Sequence, residues 1–387
     1  MEHVLIIGGG IGGAIAHDLA LRGYRVTLLE KGELLSGSTG RHHGLLHSGA
    51  RYALHDLTAA RECMEENQIL RRIVPDALEQ NDGLFVALTE EDFGFLGRFV
   101  ERCRAAGIPA AEIPPSEARR WEPRLSPEVK AAVRVPDAGM DAWRLPMHFF
   151  ASARKNGADI RPFSEVVDIV KEGSCTAGVE VLDHRRLETY RLGCDIIVNA
   201  AGPWAGKIAA LLDVRLPVQP APGVMVSVPD RLTHMVINRL HPAGEGDIVV
   251  PQRGLALLGT TAWLADDPDR VKVPREHAQR IVALCAQMVP DIRRLPLHAV
   301  WCASRPLLAA GPQKNPMEIS RTFDCIDHRA TDGIEGLISI VGGKATTMRA
   351  MAEKTADLVT AKTGRSIPCR TQSTKLAPYR RFYRDWA

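Results

Sequence analysis

Val4-Leu5-Ile6-Ile7-Gly8-Gly9-Gly10-Ile11-Gly12-Gly13-Ala14-Ile15-Ala16 opens on four aliphatic residues, passes through a run of glycines and continues into small and apolar residues at helical spacing. That order predicts a strand, a tight turn and a helix. Gly8 permits the turn, Gly10 lets backbone approach a pyrophosphate, and Gly13 lets the helix pack closely, while N–H groups at the helix start face the phosphates. The next strand, Arg25 to Leu29, ends in Glu30. A carboxylate there accepts both ribose hydroxyls of an adenosine and repels a 2′-phosphate, which disfavours NADP. Lys31-Gly32, then Gly37-Ser38-Thr39-Gly40-Arg41-His42-His43-Gly44, makes a long glycine and hydroxyl loop suited to wrapping a large dinucleotide. An NAD domain would usually return to a short helix at this point.

The rest of the composition sets bounds on this reading. With 387 residues, the chain exceeds one average domain of about 150 residues. A net charge of +3, with 25% charged and 45% hydrophobic residues, is that of an ordinary globular protein and supplies no basic stripe for nucleic acid. The longest runs free of charged residues and histidine, Val4 to Ala16 and Leu216 to Pro229, are shorter than a bilayer span. The first of these has no basic leader and no small-residue cleavage site, so the expected location is the cytoplasm. Eight scattered cysteines, with no CxxC among them, fit reduced thiols better than a disulfide framework or a metal site.

Further along, Ala59 to Ile73 and Glu90 to Ala106 read as helices, and Gly83 to Leu88 reads as a strand. Arg119 to Val135, rich in Pro, Trp and charge, suggests a crossing between lobes. Glu165 to Val170, which includes Val166, pairs in a hairpin with Gly178 to Leu182. Asp195 to Val198 is a buried strand that enters the small-residue turn Asn199-Ala200-Ala201-Gly202-Pro203-Trp204, where backbone can lie against a flat cofactor. Gly223 to Val228, Asp247 to Val250 and Leu255 to Thr261 read as an antiparallel sheet in a substrate lobe. Leu337 to Val341 stops at Gly342-Gly343-Lys344-Ala345-Thr346-Thr347, and a closing helix from Met348 to Thr363 points its N-terminus at a ligand. The expected fold class is α/β. A discontinuous Rossmann-like lobe spans 1–85, 145–215 and 325–370, and an α+β substrate lobe on a mostly antiparallel sheet spans 86–144 and 216–324, with a tail at 371–387.

Several segments taken together resemble one family. They are Gly40-Arg41-His42-His43-Gly44-Leu45-Leu46-His47-Ser48-Gly49-Ala50-Arg51-Tyr52-Ala53, Glu62-Cys63, Glu66-Asn67, the Asn199–Trp204 turn, Gly259-Thr260-Thr261, Arg305-Pro306-Leu307 and Gly342-Gly343-Lys344. This set is similar to FAD-dependent glycerol-3-phosphate dehydrogenases of the D-amino-acid-oxidase-like group, above all the catalytic A subunit of the anaerobic, membrane-associated branch. The resemblance implies FAD, oxidation of sn-glycerol 3-phosphate by hydride transfer to flavin N5, and electrons leaving to a quinone. It also implies site residues. Arg51 and Arg305 would hold the phosphate, Lys344 would sit near flavin and substrate oxygen, and Tyr52 and Arg321 complete the candidate catalytic set. The cofactor would be held by Gly8, Gly10, Gly13, Glu30, Lys31, Ser38, Thr39, His43, Gly44, Leu45, Val166, Ala200, Gly202, Trp204, Arg305, Gly343, Lys344 and Thr346. His43 and His47 would orient the flavin ring or shuttle a proton. Noncovalent FAD and no metal are expected.

Some positions depart from the family's pattern. Pro222-Gly223 stands where relatives carry Lys-Gly, Met225 where one branch has a histidine, His42 where an asparagine is usual, and Ala303-Ser304 where a Gly-Val pair precedes the arginine. These leave open another polyol phosphate, a 2-hydroxy acid or an amino acid as substrate. The catalytic chain of the anaerobic branch continues into a cysteine-rich iron–sulfur domain, so the expected partner is a separate iron–sulfur or membrane subunit. The tail, Pro378 to Trp386, holds four of the chain's twenty aromatic residues and three arginines. It suits either the cytoplasmic membrane face or folding back on the body.

Overall fold

The computed structural model describes residues 1–241, 244, 246–308 and 322–384. At its centre is a six-stranded sheet in the order Phe323–Asp327, Leu337–Gly342, Ile196–Asn199, His3–Ile7, Arg25–Glu30, Asp159–Pro162. All neighbours are parallel except the first pair. Val4 registers with both Val26 and Ile196, so the His3–Ile7 strand is covered on both edges and both faces, which is why it reads as an unbroken aliphatic run.

Alternation along these strands divides the core. Val4, Ile6, Val26 and Leu28 pack with Ile15, Leu19, Phe149, Phe150 and Met351 from the helices Gly12–Leu21, Arg144–Lys155 and Met348–Lys362. Leu5, Ile7, Leu29 and Ile197 face the other way, onto Val166, Val179 and Val181. Those last residues belong to a three-stranded antiparallel sheet, Ser164–Glu172, Cys175–Asp183 and Glu188–Gly193. The result is a helix–sheet–sheet sandwich with the Gly8–Gly13 turn at one end.

The second lobe is an eight-stranded sheet in the order Ala299–Leu308, Val218–Val228, Leu255–Gly259, Ile248–Gln252, Val236–Arg239, Gly83–Ala87, Ala131–Val135, Ala111–Ile113. Only the Val236–Arg239 and Gly83–Ala87 pair is parallel. The Arg275–Met288 helix covers one face through Ile281, Cys285 and Met288 against Val224 and Val226. Leu96–Ala105 covers the other through Phe99 and Cys103 against Phe85.

Local chemistry explains where the sequence reading and the structure differ. Glu90 to Ala106 is two helices, Glu90–Gly94 and Leu96–Ala105; the first is closed at its start by a Thr89/Asp92 capping box. Arg119 to Val135 contains the end of the helix Pro115–Trp121 and the strand Ala131–Val135, where a crossing between lobes was expected. That strand exists because Gly83–Ala87 pairs with it, a nonlocal contact that composition does not carry. The sheet position of Gly83–Ala87 also means that the lobe boundary drawn at residue 85 falls inside a strand.

The described part of the tail folds back on the body. Ala377 N donates to Ser152 Oγ (2.8 Å), Arg154 Nη1 donates to Phe382 O (2.7 Å), and the buried Phe382 ring lies 6.2 Å from that of Phe150. Among the described residues no helix is long and apolar enough to cross a membrane.

Candidate active site

The turn after the first strand has the geometry its glycines require. Gly8 has φ +116°, and a Cβ built there would lie 2.5 Å from Ala200 O, so the two small-residue turns meet backbone to backbone. A Cβ on Gly10 would lie 2.5 Å from Thr39 Oγ1, and one on Gly13 would meet the Phe150 ring at 2.9 Å. Glu30 accepts the N–H of Gly9 at 2.6 Å and that of Gly32 at 2.9 Å, which fixes both carboxylate oxygens at the strand end with lone pairs to spare. No acidic residue stands in the first turn of the Gly12–Leu21 helix, so its positive end is open to a phosphate.

From here a cavity of about 1420 Å³ runs between the lobes, larger than the roughly 300–1,000 Å³ of a drug-sized site. Gly8, Gly10, Glu30, Lys31, Ser38 and Thr39 line it on the nucleotide side, together with Val166, Ala200, Gly202 and Trp204. His43, Leu45, Arg51, Tyr52, Arg305, Gly343 and Lys344 line the same cavity. These residues fit FAD: the glycine cradle tolerates no added carbon, the carboxylate is preset for a ribose, and the volume suits a dinucleotide. Gly13, Gly44 and Thr346 stand behind the wall. Thr346 is fully buried and accepts the His47 N–H at 3.1 Å. Gly44, at φ +77°, turns the loop against Met140. Arg321 lies outside the described residues.

Three histidines share one loop wall. Their rings are spaced 6.4 Å from His42 to His43 and 5.9 Å from His43 to His47, and His47 lies 5.4 Å from Tyr52. Burial pushes His42 down to about 4. It lowers His47 to about 3, with Arg51 and Lys344 adding to the effect. His43 falls well below its ordinary value through burial, then His47, His42, Arg305 and Arg51. All three imidazoles are therefore neutral at pH 7. His42 Nδ1 accepts from Gly44 N–H (2.9 Å) and His43 Nδ1 from Leu45 N–H (3.3 Å), so in each the proton sits on Nε2.

The cations are positioned from three separate places in the chain. Gly49, at φ +95°, turns the backbone under the Leu57–Ile73 helix so that the one-turn helix Ala50–Tyr52 presents Arg51 and Tyr52. Arg51 Nη2 donates to Asp247 Oδ1 (2.5 Å) and Gly244 O (2.7 Å), and Nη1 to Asn238 Oδ1 (3.5 Å). Burial pushes the Asp247 carboxyl up, but Arg51 and His241 outweigh it and hold it well below the usual range. Arg305 Nη1 donates to Ala221 O and Thr261 O, both at 3.3 Å, and Nη2 to Thr260 Oγ1 at 3.3 Å. Gly223 makes room for this fork, because a Cβ there would lie 2.7 Å from Arg305 Nη1. Lys344 follows two left-handed glycines, and its Nζ lies 5.0 Å from the Tyr52 ring centroid.

Asp247 and Asn238 were missed by the sequence reading, whereas Thr260 and Thr261, quoted for the resemblance with no role assigned, hold the Arg305 fork. Asp247 is a single acid before an apolar run, and its pairing with a residue 196 positions away leaves no local signal. Glu66 and Asn67, quoted for the resemblance, serve the architecture. Asn67 Nδ2 donates to His47 O (3.2 Å) and Pro136 O (3.0 Å), which holds the histidine loop down, and Glu66 pairs with Arg349.

The sequence profile of the FAD dependent oxidoreductase family matches residues 3–358. The A subunit of anaerobic glycerol-3-phosphate dehydrogenase from Escherichia coli (strain K12) is 40% identical over 376 residues, which cover 96% of this chain and 69% of that protein. The corresponding A1 subunit from Haloferax volcanii is 40% identical over 385 residues, 96% of this chain and 66% of that protein. The crystal structure of glycerol-3-phosphate dehydrogenase from Bacillus halodurans complexed with FAD superposes with a TM-score of 0.75 at 23% identity, covering 97% of this chain and 68% of that one. The glycine cradle, the preset carboxylate and the dinucleotide-sized cavity between two lobes agree with this match, and the chain belongs to the FAD dependent oxidoreductase family.

Proposed function

We propose that the chain oxidises the secondary alcohol of sn-glycerol 3-phosphate to dihydroxyacetone phosphate and passes the electrons to a quinone or a separate electron-transfer subunit. The observation that supports this reading is the convergence of Arg51, Arg305 and Lys344 on the cavity that also holds Gly8, Gly10 and Glu30. The relatives named as components of anaerobic glycerol-3-phosphate dehydrogenases lend it weight. FAD, when bound, supplies the hydride acceptor.

The protein's own residues do the rest. Two guanidinium forks suit the phosphate oxygens, and Lys344 suits the substrate hydroxyl, where its charge stabilises the oxygen as the proton leaves. His43, with its proton on Nε2, serves as a donor to the ring or the substrate. His47, neutral and beside Tyr52, passes the hydroxyl proton on without keeping it, because burial, Arg51 and Lys344 disfavour its imidazolium. Asp247 offsets part of the charge of Arg51, and this favours a second reading in which the substrate is a monoanionic 2-hydroxy acid.

An anaerobic titration of the bound flavin tests the proposal. Bleaching of the visible band by glycerol 3-phosphate, and not by glycerol, 2-hydroxyglutarate or D-amino acids, is the expected result. Bleaching by a hydroxy acid alone would replace the substrate and keep the cofactor. Arg305→Ala should lower kcat/KM by about 10²–10³-fold.

A further inference from the structure

Residues 260–274 join the Leu255–Gly259 strand to the Arg275–Met288 helix without regular secondary structure. Loops of such length inside a compact fold are uncommon and mostly functional. The first half is pinned by main chain to the eight-stranded sheet: Trp263 N donates to Pro222 O (3.2 Å), Ala265 N donates to Pro220 O (3.0 Å), and Gln219 Nε2 donates to Ala265 O (2.8 Å). The tip crosses to the other lobe through side chains. Trp204 Nε1 donates to Asp269 Oδ1 (2.7 Å), and Lys207 Nζ reaches Asp267 Oδ1 (2.9 Å) and Asp269 Oδ2 (2.6 Å). Lys31 Nζ lies 3.8 Å from Asp269 and 4.9 Å from the Trp204 ring centroid.

Pro268, Asp269 and Val271 line the cavity beside Lys31, the residue after Glu30. Glu30 marks the ribose end of a dinucleotide site. We infer that residues 266–271 form a strap that closes the adenosine end of the FAD site, latched by Asp267 and Asp269 to Lys207, Lys31 and Trp204, and that this latch sets how fast FAD leaves. Lys207 and Asp269 are about half exposed, and ion pairs of that kind are individually weak and screened by salt. The strap therefore opens without unfolding either lobe. Because the partners of the tip lie in the nucleotide lobe and its anchor lies in the other, opening also widens the path by which the adenosine half enters. The inference rests on FAD binding and is independent of the substrate.

FAD release from the purified holoprotein, followed by the fluorescence gained when FAD leaves, tests the latch. In the unsubstituted protein, raising NaCl from low to molar concentration should accelerate release several-fold. Lys207→Met and Asp269→Asn should each accelerate it about three- to five-fold at low salt and remove most of the salt dependence. Exchanging charges, Lys207→Asp with Asp267→Lys, should release FAD more slowly than either single change. Release rates in all variants within two-fold of the unsubstituted protein would overturn the inference. So would a rate in the unsubstituted protein that salt leaves unchanged, a measurement that needs no variant to fold.

Discussion

Asp247 accepts a hydrogen bond from Arg51 Nη2 at 2.5 Å, with the two side chains 3% and 11% exposed, so the guanidinium reaches the cavity already oriented by a charge from another lobe element. Hydrogen bonds between charged groups contribute about 1.5–3 kcal/mol. Asp247→Ala should therefore raise KM for the anionic substrate about ten-fold or more while kcat stays within a few-fold. Steady-state kinetics beside FAD content checks this, and an unchanged KM would show that Arg51 needs no such support.

Gly8 is the position where the cradle is least tolerant. At φ +116° and with Ala200 O at 2.5 Å from a built Cβ, Gly8→Ala must move the strand end or the facing turn. Strain of that kind costs about 1–3 kcal/mol. The variant should melt several degrees lower and purify with most of its FAD lost, read from the ratio of visible to ultraviolet absorbance.

Arg349 and Glu66 clamp the Met348–Lys362 helix to the Leu57–Ile73 helix, 3% and 4% exposed, with Nε to Oε2 at 2.9 Å. Arg349→Met leaves a buried carboxylate alone and should cost about 3–5 kcal/mol in urea unfolding. Glu66→Leu combined with Arg349→Met should recover part of that loss, since it removes the stranded buried charge of Glu66, while Glu353, the second partner of Arg349, stays partly exposed and hydrogen-bonded to Gln372.

The histidine wall gives a pH signature. Burial lowers His42 from 6.5 to about 4 and His47 to about 3, so above pH 5 both are neutral and kcat/KM should show no inflection from either up to pH 9. Their depressed values contribute stability that is fully present above 6.5 and is lost as the pH falls through 4 and 3. The melting temperature should therefore drop by several degrees between pH 6.5 and 4, and His42→Asn should shrink that drop. A kcat/KM inflection near pH 6.5 that disappears in His47→Asn would contradict the neutral assignment.

Much of the nucleotide lobe was legible because its signals are local. Four aliphatics before Gly8, small residues after it and an acid at the end of the next strand are consequences of a strand buried on both faces, a turn at positive φ and a carboxylate held at the strand end by the Gly9 and Gly32 N–H groups. The hairpin containing Val166 and the Asn199–Trp204 turn were readable for the same reason. The single helix read over Glu90 to Ala106 and the crossing read over Arg119 to Val135 failed where structure depends on partners. Thr89 and Asp92 cap a helix that ends at Gly94, and Ala131–Val135 is a strand only beside Gly83–Ala87. Alternation within one segment is a property of that segment, whereas strand pairing is a property of two.

The sequence by itself determined the dinucleotide turn, the two-lobe α/β plan and the residue types that carry charge into the site. Tertiary structure alone decided that Arg51, Arg305 and Lys344, which lie up to 293 positions apart, share one cavity, that Asp247 holds Arg51, and that Asp269 crosses to Trp204 and Lys207. The physical reason is that hydrogen bonds and ion pairs act over about 3–4 Å in space and leave no mark along the chain when their partners are far apart in it.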